Sequence, residues 1–390
     1  MDLIEKKKQI HIDQEAFSIL EMVKEGILAP VSGLMNQEQI KEVNQTELFN
    51  GCSFPAPLIL SPNGRRNQEV IKSLKIGEEI DICVQKNKVG EMVIEEIFPL
   101  NKDERIKKIM GGDMGHPDTA RIYQRLGNFG IYGDYTINGA KIKAIKTLIQ
   151  EKIKTLKAKK ICGVMLNANP IHMVHEKILQ ETLMRNDMLI IFLPHHNNWL
   201  LPYSLRLKSV QYVVDNFLPS HKILIVPLDY TYLLAGQNRM ILNALICKNY
   251  GCTEFVASLG SSDLSTFYEG NQICTIMDKI QGIKLDIKLL SEYIYCDTCN
   301  TIKNTKICPH GPHHHIAYNS KNFFELLKMG IMPPEVFIRR EVSAMILAHL
   351  FPNQPKKLNK LYQDLMTQNG LIQEGDERFY ERLSYLYHVK

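Results

Sequence analysis

The sequence predicts an α/β fold built on a parallel sheet. Strand-sized apolar runs alternate with helix-length amphipathic segments between about residues 160 and 260, and the runs are hydrophobic enough to be buried on both faces of a sheet. One run also ends in an Asn-Pro turn that feeds a helix, the usual place for a ligand at the carboxyl end of a parallel strand. The expected strands are 161–166, 188–193, 223–226 and 255–259, and the helices between them start at 172 and cover 205–217 and 239–249.

A chain of 390 residues with 45% hydrophobic content exceeds one ordinary domain. The N-terminal region, 1–140, carries short alternating runs at 79–84 and 91–97, broken by the turn clusters Ser61-Pro-Asn-Gly and Asn101-Lys-Asp, and reads as a β-rich domain. Residues 141–290 hold the strand and helix alternation. Residues 291–390 form a smaller lobe with a cysteine knuckle and helices expected at 323–329, 341–350, 357–367 and 377–387.

Charge and hydropathy narrow the function classes. A net charge of +5 over 390 residues is too mild to make nucleic-acid binding the main task. The lysine-rich stretch 141–160 places Ile142, Ile145, Leu148, Ile149, Ile153 and Leu156 on one stripe, which is an amphipathic helix with a solvated basic face. The longest apolar run, 188–194, is strand-sized and residues 1–12 are charged, so no membrane span or signal segment is expected and the protein reads as cytoplasmic.

The most informative segment is 161–176. Its strand runs through Asn167, Asn169 and Pro170 into a helix bearing His172 and His175, and a helix N-terminus offers free N–H groups and a positive dipole to an anion. Pro170 suits the first helical position through its fixed φ and missing donor. Two imidazoles three residues apart share a face of the first turn, where they can hold nucleotide phosphates and offset charge as pyrophosphate leaves. The plain alternative is that one histidine caps or packs while the other is solvated.

Nine cysteines are present. Cys52, Cys83, Cys162, Cys247, Cys252 and Cys274 show no pairing pattern and read as buried thiols of a reducing compartment. Cys296, Cys299 and Cys308 are different: Cys-Asp-Thr-Cys, then eight residues, then Cys-Pro-His-Gly-Pro-His-His-His has the spacing of a tetrahedral Cys3His structural zinc site. His310, His313, His314 and His315 are all within reach, and the turn needed after Cys308 favours His313.

Several stretches together resemble the ATP sulfurylase (sulfate adenylyltransferase) family over nearly the whole chain. They are Pro30-Val-Ser-Gly-Leu-Met-Asn, Phe54-Pro-Ala-Pro-Leu-Ile-Leu, His116-Pro-Asp-Thr-Ala-Arg, Asn169-Pro-Ile-His-Met-Val-His-Glu, Lys248-Asn-Tyr-Gly-Cys-Thr and Met332-Pro-Pro-Glu-Val-Phe. The resemblance implies a PUA-like N-terminal domain, a Rossmann-like (HUP-type) nucleotidyltransferase domain and a small zinc-bearing C-terminal lobe. It also implies ATP with Mg2+, a small oxyanion acceptor and a homo-oligomer, dimeric in the family. Asn167, Asn169, His172, His175 and Arg206 are the candidate nucleotide contacts, with Asn169, His172 and His175 closest to the chemistry.

Departures fall where the acceptor should bind. The positions of the family's glutamine and arginine hold Leu166 and Ala168, its Gly-Arg-Asp-His-Ala-Gly loop aligns with Ser258-Leu-Gly-Ser-Ser-Asp, and its arginine after Ala235-Gly is Asn238, with Arg239 one position along. Arg239, Lys321, Arg339 and Arg340 are the cations that could refill the vacancy. Without such cations, bringing sulfate to a second polyanion carries a large repulsion and desolvation cost. Three further readings therefore stand beside sulfate adenylyl transfer: an adenylyltransferase with another acceptor, a catalytically silent nucleotide- or protein-binding relative, and, weakest, an RNA-binding protein.

Overall fold

The computed structural model describes residues 7–195, 200–229, 231–258, 267–269, 272–274, 276–290, 292–352 and 380–381. The helix expected at 357–367, nearly all of that at 377–387, and most of the loop after Ser258 lie outside the described residues. The chain forms two compact units, one of Met1–Gly163 with Asp229–Leu289 and the other of Val164–Leu228 with Leu290–Lys390. This division cuts across the three consecutive segments read from the sequence, because the chain leaves the first unit within the strand Ile161–Met165 and returns at Asp229.

The first unit contains a four-stranded sheet in the order Gln9–Ile12, Glu79–Val84, Asn87–Val93, Tyr135–Ile137, and a three-stranded sheet in the order Leu60–Pro62, Leu126–Tyr132, Glu96–Pro99. Gln9–Ile12 pairs with Glu79–Val84 in parallel, Gln9 opposite Asp81, whereas the next two pairings are antiparallel. The strand expected at 91–97 is two strands in two sheets, Asn87–Val93 and Glu96–Pro99. The region also holds more helix than its alternating runs suggest. Helix Gln14–Lys24 starts where the Asp13 carboxylate accepts from the Ala16 N–H, and Lys102–Met110 starts at Asn101 and stops at Gly111, whose φ of 65° needs no Cβ accommodation.

Helix Lys141–Leu156 follows, with Ile142 and Ile149 buried and Lys157 in the left-handed region at its end. Leu148, expected on the apolar stripe, is 49% exposed. Two of the basic residues are tied down: Lys141 pairs with Asp229 at 2.8 Å, and Lys146 donates to the Glu25 carbonyl at 2.7 Å. Within this unit the opening of Ile161–Met165 neighbours Glu254–Ser258, which neighbours Asp286–Leu290.

In the second unit the strand order continues from the rest of Ile161–Met165 to Met188–His195 and then Ile223–Asp229. Helices Met173–Leu183 and Tyr203–Phe217 connect these strands in turn, as a parallel α/β sheet requires. Met188, Leu189, Ile190, Ile191, Phe192 and Leu193 are all fully buried, which explains an unbroken apolar run with no alternation. The unit also contains a three-stranded antiparallel sheet, Thr301–Asn304, Tyr293–Cys296, His315–Ala317, and the helices Ser320–Lys328 and Arg340–Leu350. Among the described residues no helix is long and apolar enough to cross a membrane.

Candidate functional site

The strand Ile161–Met165 delivers the chain to a loop at 166–172 that is anchored from both ends. The Leu166 N–H donates to the Phe192 carbonyl at 2.9 Å, and Asn169 Oδ1 accepts from the Leu201 N–H at 3.0 Å. Arg206, with no exposed surface, sends Nη1 to the Asn167 carbonyl at 2.6 Å and Nη2 to the Pro194 carbonyl. Burial lowers its pKa to about 10, so the guanidinium stays charged while it clamps two strand ends. Pro170, expected at the first helical position, instead lies in the turn after a cis peptide bond, and the helix begins at Met173.

His172 is therefore the residue before the helix, and its N–H donates to His175 Nδ1 at 3.1 Å. The two rings stack at 3.7 Å with an interplanar angle of 19°. Tyr318 and Phe323 close around His172 with centroids at 5.3 and 6.0 Å, and Phe337 lies 5.1 Å from Phe323. This desolvated setting holds His172 well below the ordinary imidazole range and brings His175 down to about 4. Both rings are neutral near pH 7. Because His175 Nδ1 accepts, its proton resides on Nε2, which remains a donor for an anion. His172 Nδ1 is buried with no hydrogen-bond partner among the described residues. A buried unpartnered ring nitrogen and an oriented donor at a helix N-terminus fit a phosphate-bearing ligand.

Glu176, one turn on, is 3% exposed and bound by Arg339 through contacts of 3.0, 2.9 and 2.8 Å, while the guanidinium stacks 3.4 Å from the Phe217 ring centroid. Arg339 thus serves the helix carrying the histidines, and Arg340 lies 3.5 Å from Glu335. The sequence pattern gave no sign of the Tyr318, Phe323 and Phe337 shell, because those residues lie some 150 positions from the helix they pack against. Leu166 and Ala168 are both buried, the latter at φ 47°, so neither position offers a charge.

The cysteine knuckle is built on the antiparallel sheet of the same unit. Cys296 ends the strand Tyr293–Cys296, a turn with Asn300 at φ 50° returns the chain, and the Cys299 N–H points at Cys296 Sγ from 3.4 Å. The sulfurs of Cys296, Cys299 and Cys308 lie 3.4, 3.3 and 3.9 Å from His310 Nδ1, and the four donor atoms all lie within 4.8 Å of one another. Ordinary zinc bond lengths in a tetrahedron separate nitrogen and sulfur by about 3.6 Å, so this group could hold a metal ion. The fourth member is His310, not His313. The His313 ring lies tilted against His314 with centroids 4.2 Å apart, and His314 Nδ1 lies 2.8 Å from Asp297. The ligand position is thus two residues after Cys308, closer than the turn expected there allowed.

The ATP-sulfurylase family profile matches residues 141–349, and a PUA-like domain profile matches residues 2–138. The chain belongs to the ATP-sulfurylase family. Relatives named sulfate adenylyltransferase include one from Persephonella marina, 25% identical over 370 residues that cover 89% of this chain and 93% of that one. Another, from Staphylothermus marinus, is 25% identical over 359 residues covering 88% and 91%. A solved structure titled hexameric APS kinase from Thiobacillus denitrificans aligns with a TM-score of 0.66 at 14% identity, over 95% of this chain and 73% of that one, and shows a shared fold. Gly236, in the first unit, is held to glycine by packing. A Cβ at Gly236, where φ is 51°, would fall 2.7 Å from the Met110 carbonyl oxygen. Asn238, where the resemblance implies arginine, donates through Nδ2 to the Lys108 carbonyl at 2.8 Å.

Proposed function

We propose that the protein is a nucleotidyltransferase that moves the adenylyl group of ATP onto a small oxyanion, with sulfate as the acceptor and pyrophosphate as the second product. The observation that carries this reading is the neutral, stacked His172 and His175 pair at the head of helix Met173–Leu183, with its oriented donor and its unpartnered ring nitrogen. An acceptor oxygen attacks the α-phosphorus in line, the bond from that phosphorus to the bridging oxygen breaks, and pyrophosphate leaves. His172 and His175 contact the β and γ phosphates, and Asn169 holds the loop in place through Leu201. Asn167 presents an exposed side chain beside them, and Arg206 acts as a positioning residue through the Asn167 carbonyl. Mg2+ bound with ATP would supply charge neutralisation of the leaving pyrophosphate.

In the same reading Cys296, Cys299, Cys308 and His310 hold a structural zinc, and four protein ligands leave no open position for chemistry. The chain works as a homo-oligomer, a dimer by the family resemblance, and light scattering of the purified protein checks that. Leu166 and Ala168 favour a second reading in which the acceptor is less charged than sulfate, because an apolar, buried pair stands where the resemblance implies glutamine and arginine. Pyrophosphate release from Mg2+ and ATP, with sulfate, with molybdate and with no acceptor, separates the two. Release dependent on the oxyanion and lost in His172→Ala supports sulfate transfer; no oxyanion dependence with ATP still bound supports another acceptor.

A further inference from the structure

The first unit contains a half-open cavity of about 530 Å3, within the range of small-molecule sites. Its walls are apolar, with Leu20, Leu34, Leu58, Leu60, Ile109 and Leu126 among them, and all six of these are buried. The polar part of the lining includes His11, Asp13, Glu15, Arg105 and Arg125, beside uncharged side chains such as Asn67 and Gln124.

Their partners differ. Arg125 binds both Asp13 and Glu15, and Glu15 also accepts from the Tyr232 N–H. Arg105 sends Nη2 to the Ile59 carbonyl at 2.7 Å and Nη1 toward that of Pro57 at 3.4 Å, and no carboxylate pairs with it among the described residues. Its Nε is buried with no acceptor there. Burial lowers the Arg105 pKa to about 10, with no compensating carboxylate to restore it. A second lining residue repeats the pattern: His11 Nδ1 lies 3.1 Å from the Gln85 carbonyl, whereas its buried Nε2 has no partner among the described residues. A desolvated guanidinium without a counter-charge is costly to keep, and carbonyl oxygens satisfy its hydrogen bonds without neutralising it.

We propose that this cavity is a binding site for a small apolar monocarboxylate, whose hydrocarbon part fills the leucine and isoleucine walls and whose carboxylate pairs with Arg105. The site is built from residues of the first unit alone and is separate from the histidine loop at 166–175. A carboxylate there pairs with the Arg105 guanidinium that lines the cavity in a charge-assisted contact, and the apolar part of the wall weakens the competition from water. An inorganic oxyanion would leave those walls unfilled, so selectivity runs toward acids with a hydrocarbon tail.

The test is calorimetry of the full chain with decanoate, with the neutral isostere decanamide, and with inorganic sulfate. Decanoate should bind the wild type at least tenfold more tightly than decanamide, and sulfate should not compete with it. Arg105→Gln should bring decanoate to the level of decanamide, and Ile19→Trp, at a half-buried lining position, should abolish binding of both by filling the space. Should Arg105→Gln fail to fold, the decanoate and decanamide comparison on the wild type still decides. Equal binding of acid and amide, decanoate binding unchanged by Ile19→Trp, or no decanoate binding to the wild type would each overturn the assignment.

Discussion

The cysteine knuckle and the histidine loop lie in the same unit, and their polar groups are assembled to different degrees. The knuckle presents a whole donor set, three thiols and one imidazole at distances a tetrahedral metal would impose. The loop keeps its scaffold, with the backbone anchored by Phe192, Leu201 and Arg206, and keeps both histidines. It has Leu166 and Ala168, both buried, where the family resemblance implies the polar grip on the acceptor. A four-ligand structural metal site depends on each of its ligands for geometry and affinity. A nucleotide site distributes its affinity over backbone groups, a helix end and several side chains, and can lose one subsite while the scaffold holds.

The largest effect expected from breaking this comparison is at the knuckle. On the zinc reading proposed above, Cys299→Ala should release the metal and lower Tm by roughly 10 °C, since metal binding to such a site is folding free energy of several kcal/mol. His310→Ala should also reduce metal content, whereas His313→Ala should leave the zinc to protein ratio at the wild-type value; equal loss in the two histidine variants would contradict the His310 assignment. Next in size is Arg339→Ala. It leaves Glu176 buried without its cation and should cost about 3–5 kcal/mol in urea unfolding, whereas replacing both residues together with apolar ones should cost much less.

The loop itself should respond in its ligand affinity. His175→Ala should weaken ATP binding on the order of tenfold, about 1.4 kcal/mol, by titration calorimetry. The proton linkage has a definite sign. His175 falls from 6.5 unfolded to about 4 folded, so the unfolded chain binds the extra proton between those values. Its contribution to stability is complete above pH 6.5 and is lost as the pH falls toward 4. The wild type should therefore lose more stability across that window than His175→Gln, and parallel curves would place the ring in water. Two neighbours on helix Lys141–Leu156 give a contrast that ends in the smallest effect: Ile149→Ala should cost about 2–4 kcal/mol, but Leu148→Ala less than about 0.5 kcal/mol.

Much of the fold is legible in the sequence where one physical signal dominates. The run 188–193 is apolar at every position because both faces of its strand are covered, and the helix expected at 239–249 has those limits in the structure. Legibility fails where two local signals compete. Pro170 fits a helix start by its φ, yet the turn containing Asn169 occupies it and His172 takes the preceding position. The periodicity around 91–97 is continuous, but the chain changes sheets between Val93 and Glu96. At the candidate site, His172 and His175 are visible from spacing alone. Their neutral state is not, since it depends on Tyr318 and Phe323 packing from far along the chain. Likewise the choice among four clustered histidines rests on which ring the backbone brings among the three sulfurs, and spacing does not encode that.

The most direct test of the central claim, adenylyl transfer from the histidine loop to sulfate, is to incubate the purified protein with Mg2+, ATP, inorganic pyrophosphatase and isotopically labelled sulfate, and to look for labelled adenosine 5′-phosphosulfate by mass spectrometry. The account predicts labelled product with the wild type and its loss in His172→Ala. ATP binding without labelled product would contradict it and assign the loop to a different acceptor.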